Sequence, residues 1–232
     1  MSYQIFDHRT EQPKIRGVLF DMDGVVLDTE KLYTRFWREA ANALGYPMTE
    51  EQALGMRSLN SAAGQARLES YFGSGVSRAA VRDKRIELMN AYVDIHGVDP
   101  KPGIFELMDT LKNSKIPTAI TTSSPLPRVR RYLNPLGLSE RFDYLCSGHD
   151  VPQGKPEPDI YLYGAQSIGV PPAACLAIED SYAGILSAHR AGCMVVMVPD
   201  LDEPTPEMKE LLFARCDTLL DVKDLIVRIN QG

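Results

Sequence analysis

A chain of 232 residues with 44% hydrophobic and 24% charged residues carries enough apolar material for one large domain, or for a core domain with a smaller insert, and excludes disorder as its default state. Its formal net charge of −6 lacks the basic balance of a nucleic-acid-binding protein, and the one dense basic run, Arg128-Val129-Arg130-Arg131, reads as the solvated face of a helix. Cys146, Cys175, Cys193 and Cys216 show no CxxC spacing, which argues against a zinc site or a disulfide framework. With no signal-like core and no 18-residue apolar stretch, a cytoplasmic protein with buried thiols is expected.

In chain order, the first 14 residues read as a polar lead-in, with order expected from about Lys14. GVLF at 17–20 is the first predicted strand. Residues 29–98 then pass without a strand pattern: Leu32, Phe36, Ala40, Ala43 and Leu44 form a helical stripe ending at Gly45, and Thr49 with Gln52 makes a capping-box pattern. Val81, Leu88, Tyr92 and Ile95 repeat the helical spacing, interrupted by Arg85. Beyond Pro102-Gly103, Ile104, Leu107, Met108 and Leu111 fall at i, i+3, i+4 and i+7 and predict another helix. Strands are predicted at PTAIT (117–121), YLC (144–146), CLAI (175–178) and MVVMV (194–198). Helices are predicted over 160–169 and 184–191, with Gly169 and Gly192 where C-caps belong.

Such non-alternating, β-rich runs separated by helices indicate a parallel sheet covered on both faces, hence an α/β fold. Residues 1–28 and 101–232 are assigned to the core, and residues 29–100 to a small all-helical cap inserted after strand 1, hinged near Asp28-Thr29 and near Gly97–Gly103. An insertion at that point is expected to overhang the carboxyl edge of the sheet, where open α/β folds place ligands.

The stretch GVLFDMDGVVLDT sets Asp21 at the end of the first strand and Asp23 in the loop behind it. Three further strand ends fall on the same edge: PTAIT runs into Thr122-Ser123-Ser124, YLC is followed by GKPEPD with Lys155, and CLAI ends on Glu179-Asp180-Ser181. Four carboxylates and one ammonium leave a surplus of negative charge, which a hard divalent cation with oxygen ligands would balance, Mg²⁺ best of all. Asp21 could then attack phosphorus and form an aspartyl-phosphate intermediate. Asp23 could protonate the leaving alkoxide and later deprotonate the attacking water. Lys155 and the Thr122 hydroxyl, with the loops that carry Gly24 and Ser123, would hold the phosphate oxygens. An EF-hand is excluded, since its sixth and twelfth loop positions counted from Asp21 are Val26 and Leu32 instead of Gly and Glu. Taken singly, a DxD is usually a polar loop, a GKP a turn and an ED an N-cap; the order and setting of all of them together is what points to a site.

DMDGVVLDT, ITTSS, GKPEPD and IEDSYAGILSAHRAG resemble the four motifs of the haloacid dehalogenase superfamily, and most of all its β-phosphoglucomutase-like group of phosphatases and mutases, from about Lys14 to Val222. The resemblance implies a Rossmann-like core with a helical cap, Asp21 as nucleophile, Asp23 as general acid/base, and Thr122 and Lys155 as phosphate binders. It also implies Mg²⁺ held by Asp21, the Asp23 carbonyl and Asp180, with Glu179 in close support. Dehalogenases and phosphonate-cleaving relatives lack an acid at the position of Asp23, so phosphoryl transfer is expected. The mutase of the group carries a histidine where this chain has Tyr33, which favours a phosphatase of sugar or nucleoside monophosphates, pseudouridine 5′-phosphate among them; a phosphomutase using the same intermediate is the alternative. A catalytically idle binding protein would lack Asp21 or Asp23, and both are present. Within the cap, Arg57 in LGMRS is the first candidate for a substrate contact, with Glu30, Tyr33 and Lys84 behind it. His8, His96, His149 and His189 sit on none of these motifs. The expected partner is a small phosphate ester; neither a nucleic acid polymer, a membrane nor a protein partner is indicated.

Overall fold

The structure, a computed structural model, describes residues 3–6, 14–57, 59 and 61–231. Two compact units divide the chain, one formed by Met1–Leu27 with Asp99–Gly232 and the other by Asp28–Val98. In chain order the elements are β1 (Tyr3–Ile5), β2 (Gly17–Phe20), α1 (Glu30–Ala43), α2 (Glu50–Leu54), α3 (Ser61–Phe72), α4 (Arg78–His96), α5 (Ile104–Asn113) and β3 (Thr118–Thr122). They continue with α6 (Leu126–Leu133), β4 (Tyr144–Ser147), α7 (Asp159–Ser167), β5 (Cys175–Glu179), α8 (Tyr182–Arg190), β6 (Met194–Met197), α9 (Pro206–Lys209), β7 (Ala214–Cys216) and α10 (Leu219–Gln231).

In the larger unit the strands form one sheet in the order β1-β7-β6-β5-β2-β3-β4, parallel throughout except for β1 against β7. β2 is buried at every position because both of its neighbours are strands and both of its faces carry helices, and this is why GVLF contains no polar residue. The chain winds to β3 on one side of β2 and to β5, β6 and β7 on the other. The carboxyl end of β2 is therefore the topological switch point, where an open parallel sheet leaves a crevice. One face packs Leu19, Ala119, Ala177 and Val195 against Ile160, Tyr161, Ile185 and Ala188 of α7 and α8.

Two strands escape the sequence reading. Tyr3–Ile5 is no polar lead-in but the antiparallel edge strand, paired with Ala214–Cys216, which was itself unassigned. Both are only three residues long, β1 at the edge and β7 between it and β6, and too short to show an apolar run. All four cysteines are free and buried. Among the described residues no helix is long and apolar enough to cross a membrane.

The smaller unit holds α1–α4 and, among its described residues, no strand. Trp37, Ala40, Ala41, Leu68 and Val81 share its core, and α1 packs on α4. The Thr49–Gln52 capping box closes reciprocally at the start of α2. The apolar faces differ from the expected stripes: α1 buries Trp37 and Ala41 beside Phe36 and Ala40 while Leu44 is exposed, and α4 buries Met89 and Val93 while Ile95 points to solvent. The periodicity located the helices, but a choice between adjacent apolar columns needs the neighbouring helix.

Candidate active site

Asp21 follows directly on β2, and its N–H donates to the Ile178 carbonyl at 3.0 Å, which keeps it in the ladder with β5. The chain then turns back tightly: Val26 and Leu27 N–H both donate to the Met22 carbonyl at 3.0 Å, and Gly24 N–H to Leu27 O at 2.9 Å. Gly24 has φ 85°, and a Cβ there would lie 2.2 Å from Asp180 Oδ2. Only glycine lets this loop approach the Asp180 carboxylate so closely.

Lys155, in the loop between β4 and α7, donates from Nζ to Asp21 Oδ1 and to Glu179 Oε1, each at 2.5 Å. The Tyr161 hydroxyl on α7 donates to the same Glu179 oxygen at 2.5 Å. Glu179 Oε2 accepts from the N–H of Asp180 and the hydroxyl of Ser181, both at 3.2 Å. Glu179 is completely buried, and a buried carboxylate is tolerable only when its oxygens are engaged in this way. Asp23 Oδ2 accepts from Ser124 Oγ at 3.2 Å, and Ser124 N–H donates to Thr122 Oγ1 at 3.1 Å. Ser147 Oγ in turn donates to the Ser124 carbonyl at 2.9 Å, tying the ends of β3 and β4 together.

Burial pushes the Asp21 carboxyl up to about 8; the Lys155 ammonium pulls against this, and Glu179 and Asp23 add to it. Burial also acts against the Lys155 charge, but Asp21 and Glu179 outweigh it and hold the ammonium well above its usual range. One ammonium is thus too little cation for its surroundings. Asp21, Glu179 and Asp180 each offer a carboxylate oxygen, and these oxygens lie within 4.8 Å of one another. An all-oxygen, charge-rich cluster of this size, with a glycine held against Asp180, fits a hard divalent cation. Glu179 is the least available of the three because its oxygens already serve Lys155, Tyr161, Asp180 and Ser181.

Of the residues singled out in the sequence, the structure brings Asp21, Lys155, Glu179 and Asp180 into one cluster and places Thr122 at the last position of β3 and Asp23, Gly24 and Ser123 on the loops of the same sheet edge. The candidates in the smaller unit fall into different local settings. Arg57 Nε lies 3.4 Å from Glu30 Oε2, whereas the Tyr33 ring lies under the Arg85 guanidinium at 4.8 Å. Lys84 pairs with Glu87 on its own helix at 2.7 Å, the arrangement of a solvated helix face. His96 stacks on Tyr92, and His189 Nδ1 meets the Leu211 carbonyl; His8 lies outside the described residues. Sequence reasoning missed Ser124, Ser147 and Tyr161. Ser124 was signalled by the hydroxyl run TTSS. Tyr161 carries no such signal, since its six-residue offset from Lys155 has no period that marks it.

The family model described as haloacid dehalogenase-like hydrolase matches residues 15–192. Hexitol phosphatase A of Escherichia coli is 34% identical over 204 residues, covering 85% of this chain and 89% of its own. The phosphorylated carbohydrates phosphatase of Thermotoga maritima is 32% identical over 178 residues, covering 77% and 82%. Among solved structures, β-phosphoglucomutase from Clostridium difficile superimposes with a TM-score of 0.74 over 94% of this chain and 97% of that one; at 24% identity this is a likeness of fold. With its parallel sheet, its acidic switch-point cluster and these matches, the chain belongs to the haloacid dehalogenase-like hydrolases.

Proposed function

We propose that the protein is a Mg²⁺-dependent phosphatase of small phosphomonoesters, sugar or nucleoside monophosphates, which works by double displacement through a phosphorylated Asp21. The observation that carries this reading is the contact of Lys155 Nζ with Asp21 Oδ1 at 2.5 Å, next to Glu179 and Asp180, at the carboxyl end of the central strand. Two carbohydrate-phosphate phosphatases among the relatives support the substrate class.

Asp21, Asp180 and the Asp23 carbonyl would hold the cation, with Glu179 beside them. When bound, Mg²⁺ would neutralise the surplus of carboxylate charge and offset the charge of an incoming phosphate. An Asp21 oxygen forms the bond to phosphorus as the ester oxygen leaves, and Asp23 gives that oxygen its proton, so that alcohol and aspartyl phosphate result. Water then attacks the phosphorus, Asp23 takes its proton, and orthophosphate leaves with Asp21 restored. Lys155 and the Thr122 hydroxyl, with the N–H groups of the loops carrying Gly24 and Ser123, hold the phosphate oxygens through both steps. Residues 29–100 act as the specificity cap, with Arg57, Glu30 and Tyr33 as candidate substrate contacts; Lys84, engaged with Glu87, is the weakest of the four.

The test is phosphate release from a panel of sugar, nucleotide and small-acid phosphates, with Mg²⁺ or with chelator. Release in Mg²⁺ alone, lost in Asp21→Asn, is expected. Isomerisation of β-glucose 1-phosphate without release from any ester would establish the mutase in its place, a reading carried only by likeness of fold and opposed by Tyr33.

A further inference from the structure

At the amino edge of the sheet, the end opposite Asp21, lies a depression of about 580 Å³. It is framed by the residues leading into β2 and β3 and by the last turn of α10. Its volume falls within the roughly 300–1,000 Å³ of small-molecule sites. Three cations stand around it, Lys14, Arg16 and Lys115, and among the described residues no acidic side chain lines it. All three are exposed, and among the described residues none makes an ion pair, in a chain whose net charge is −6. Ile116, Val170 and Ile226 form the apolar part of its wall, beside Ser114 and Asn230.

Lys115 adds a second observation. It is the one non-glycine residue with a positive φ, 55°, among the described residues. Helix α5 closes in a Schellman motif, with Ile116 N–H on Leu111 O and Lys115 N–H on Lys112 O, both at 3.0 Å. The left-handed position of that motif belongs to glycine, because a Cβ is disfavoured there. A lysine at that position keeps a cation at the rim of the depression against the preference of its own backbone, and such conflicts mark function more often than chance.

We propose that this depression is a second ligand site, for a small organic anion with an apolar body. The acid group meets Lys14, Arg16 and Lys115, and the body lies on the Ile116–Val170–Ile226 wall. The site is independent of the phosphatase reading, and its test does not use turnover. The probe is 8-anilinonaphthalene-1-sulfonate, a sulfonate on fused rings, followed by fluorescence on the full chain. Saturable binding is expected, weakened by high salt as charges are screened. The triple variant Lys14→Glu, Arg16→Glu, Lys115→Glu should bind at least about tenfold more weakly. Lys115→Gly should bind about threefold or more weakly while its Tm rises by about 2 °C, since glycine relieves the backbone. Absence of saturable binding to the parent overturns the proposal. So does an affinity in folded Lys115→Gly and in the triple variant that stays within about twofold of the parent.

Discussion

Tyr161 Oη and Lys155 Nζ converge on a single oxygen, Oε1 of the fully buried Glu179, each at 2.5 Å. Glu179 is therefore fixed from two sides, and the ammonium that touches Asp21 is fixed with it. Tyr161→Phe removes one of the two donors and keeps the ring in its packing site. Stability should fall by about 1.5–3 kcal/mol, the usual cost of losing a hydrogen bond to a charged group. With Lys155 less well held, kcat should drop by about tenfold with little change in KM. Denaturation midpoints and steady-state kinetics together check this, and a pure stability effect with unchanged kcat would remove the positioning role.

The Asp21 carboxyl, raised by burial from 3.8 to about 8 in the absence of a cation, makes stability depend on pH in a defined direction. Between those values the folded chain keeps a proton that the unfolded chain releases, so stability falls as pH rises through this window and is greatest below about 4 for this group alone. Asp21→Asn should flatten that slope and melt several degrees higher than the parent at pH 8 in chelator, while phosphate release disappears. Added Mg²⁺ should close the gap by stabilising the parent only. Thermal melts of both proteins from pH 5 to 8, with and without the ion, decide it.

Gly24→Ala would bring a Cβ to 2.2 Å from Asp180 Oδ2 at a backbone φ of 85°. Both effects act on the same loop, and a destabilisation of about 1–3 kcal/mol is expected. Because the Asp180 carboxylate must move, half-maximal Mg²⁺ should rise by about tenfold or more, on the scale of altered metal surroundings. A Mg²⁺ titration of phosphate release or of Tm reads the effect.

Burial pushes the thiols of Cys175 and Cys216 up to about 12 and that of Cys193 higher still, and it raises Cys146 as well. The thiolate is the reactive form, so a disulfide reagent at pH 8 should titrate almost no thiol in the native protein and all four after denaturation. Fast modification of any one of them would show that the segment around it opens.

The central parts of the fold were legible because they are the most constrained. β2, β5 and β6 are sandwiched between helices, which forbids alternation and leaves the uninterrupted runs GVLF, CLAI and MVVM. The three-residue strands YQI, at the edge, and ARC, next to it, obey no such constraint. Arg215 even points a charge outward, paired with Glu203 at 2.7 Å and with Asp217. For the candidate site the same distinction holds. Asp21, Lys155 and Asp180 follow strand ends and can be read as a set, whereas Tyr161 acts through a tertiary contact made from within a helix. Arg85 was visible only as a break in an apolar stripe. Its place over the rings of Tyr33 and Trp37, at 4.8 and 4.9 Å, gives the break a cause that one helix alone could not disclose.

The pairing of Tyr3–Ile5 with Ala214–Cys216 also fixes the order in which the molecule can be completed during synthesis. Tyr3–Ile5 leaves the ribosome long before Ala214–Cys216 and must wait for it, and Ile15, whose N–H and carbonyl bond the Asn230 side chain, must wait longer. Until then β6 is an open edge of four buried-type residues, MVVM, offering unpaired backbone to any neighbouring nascent chain. Removal of β7 and α10 would make that vulnerable interval permanent.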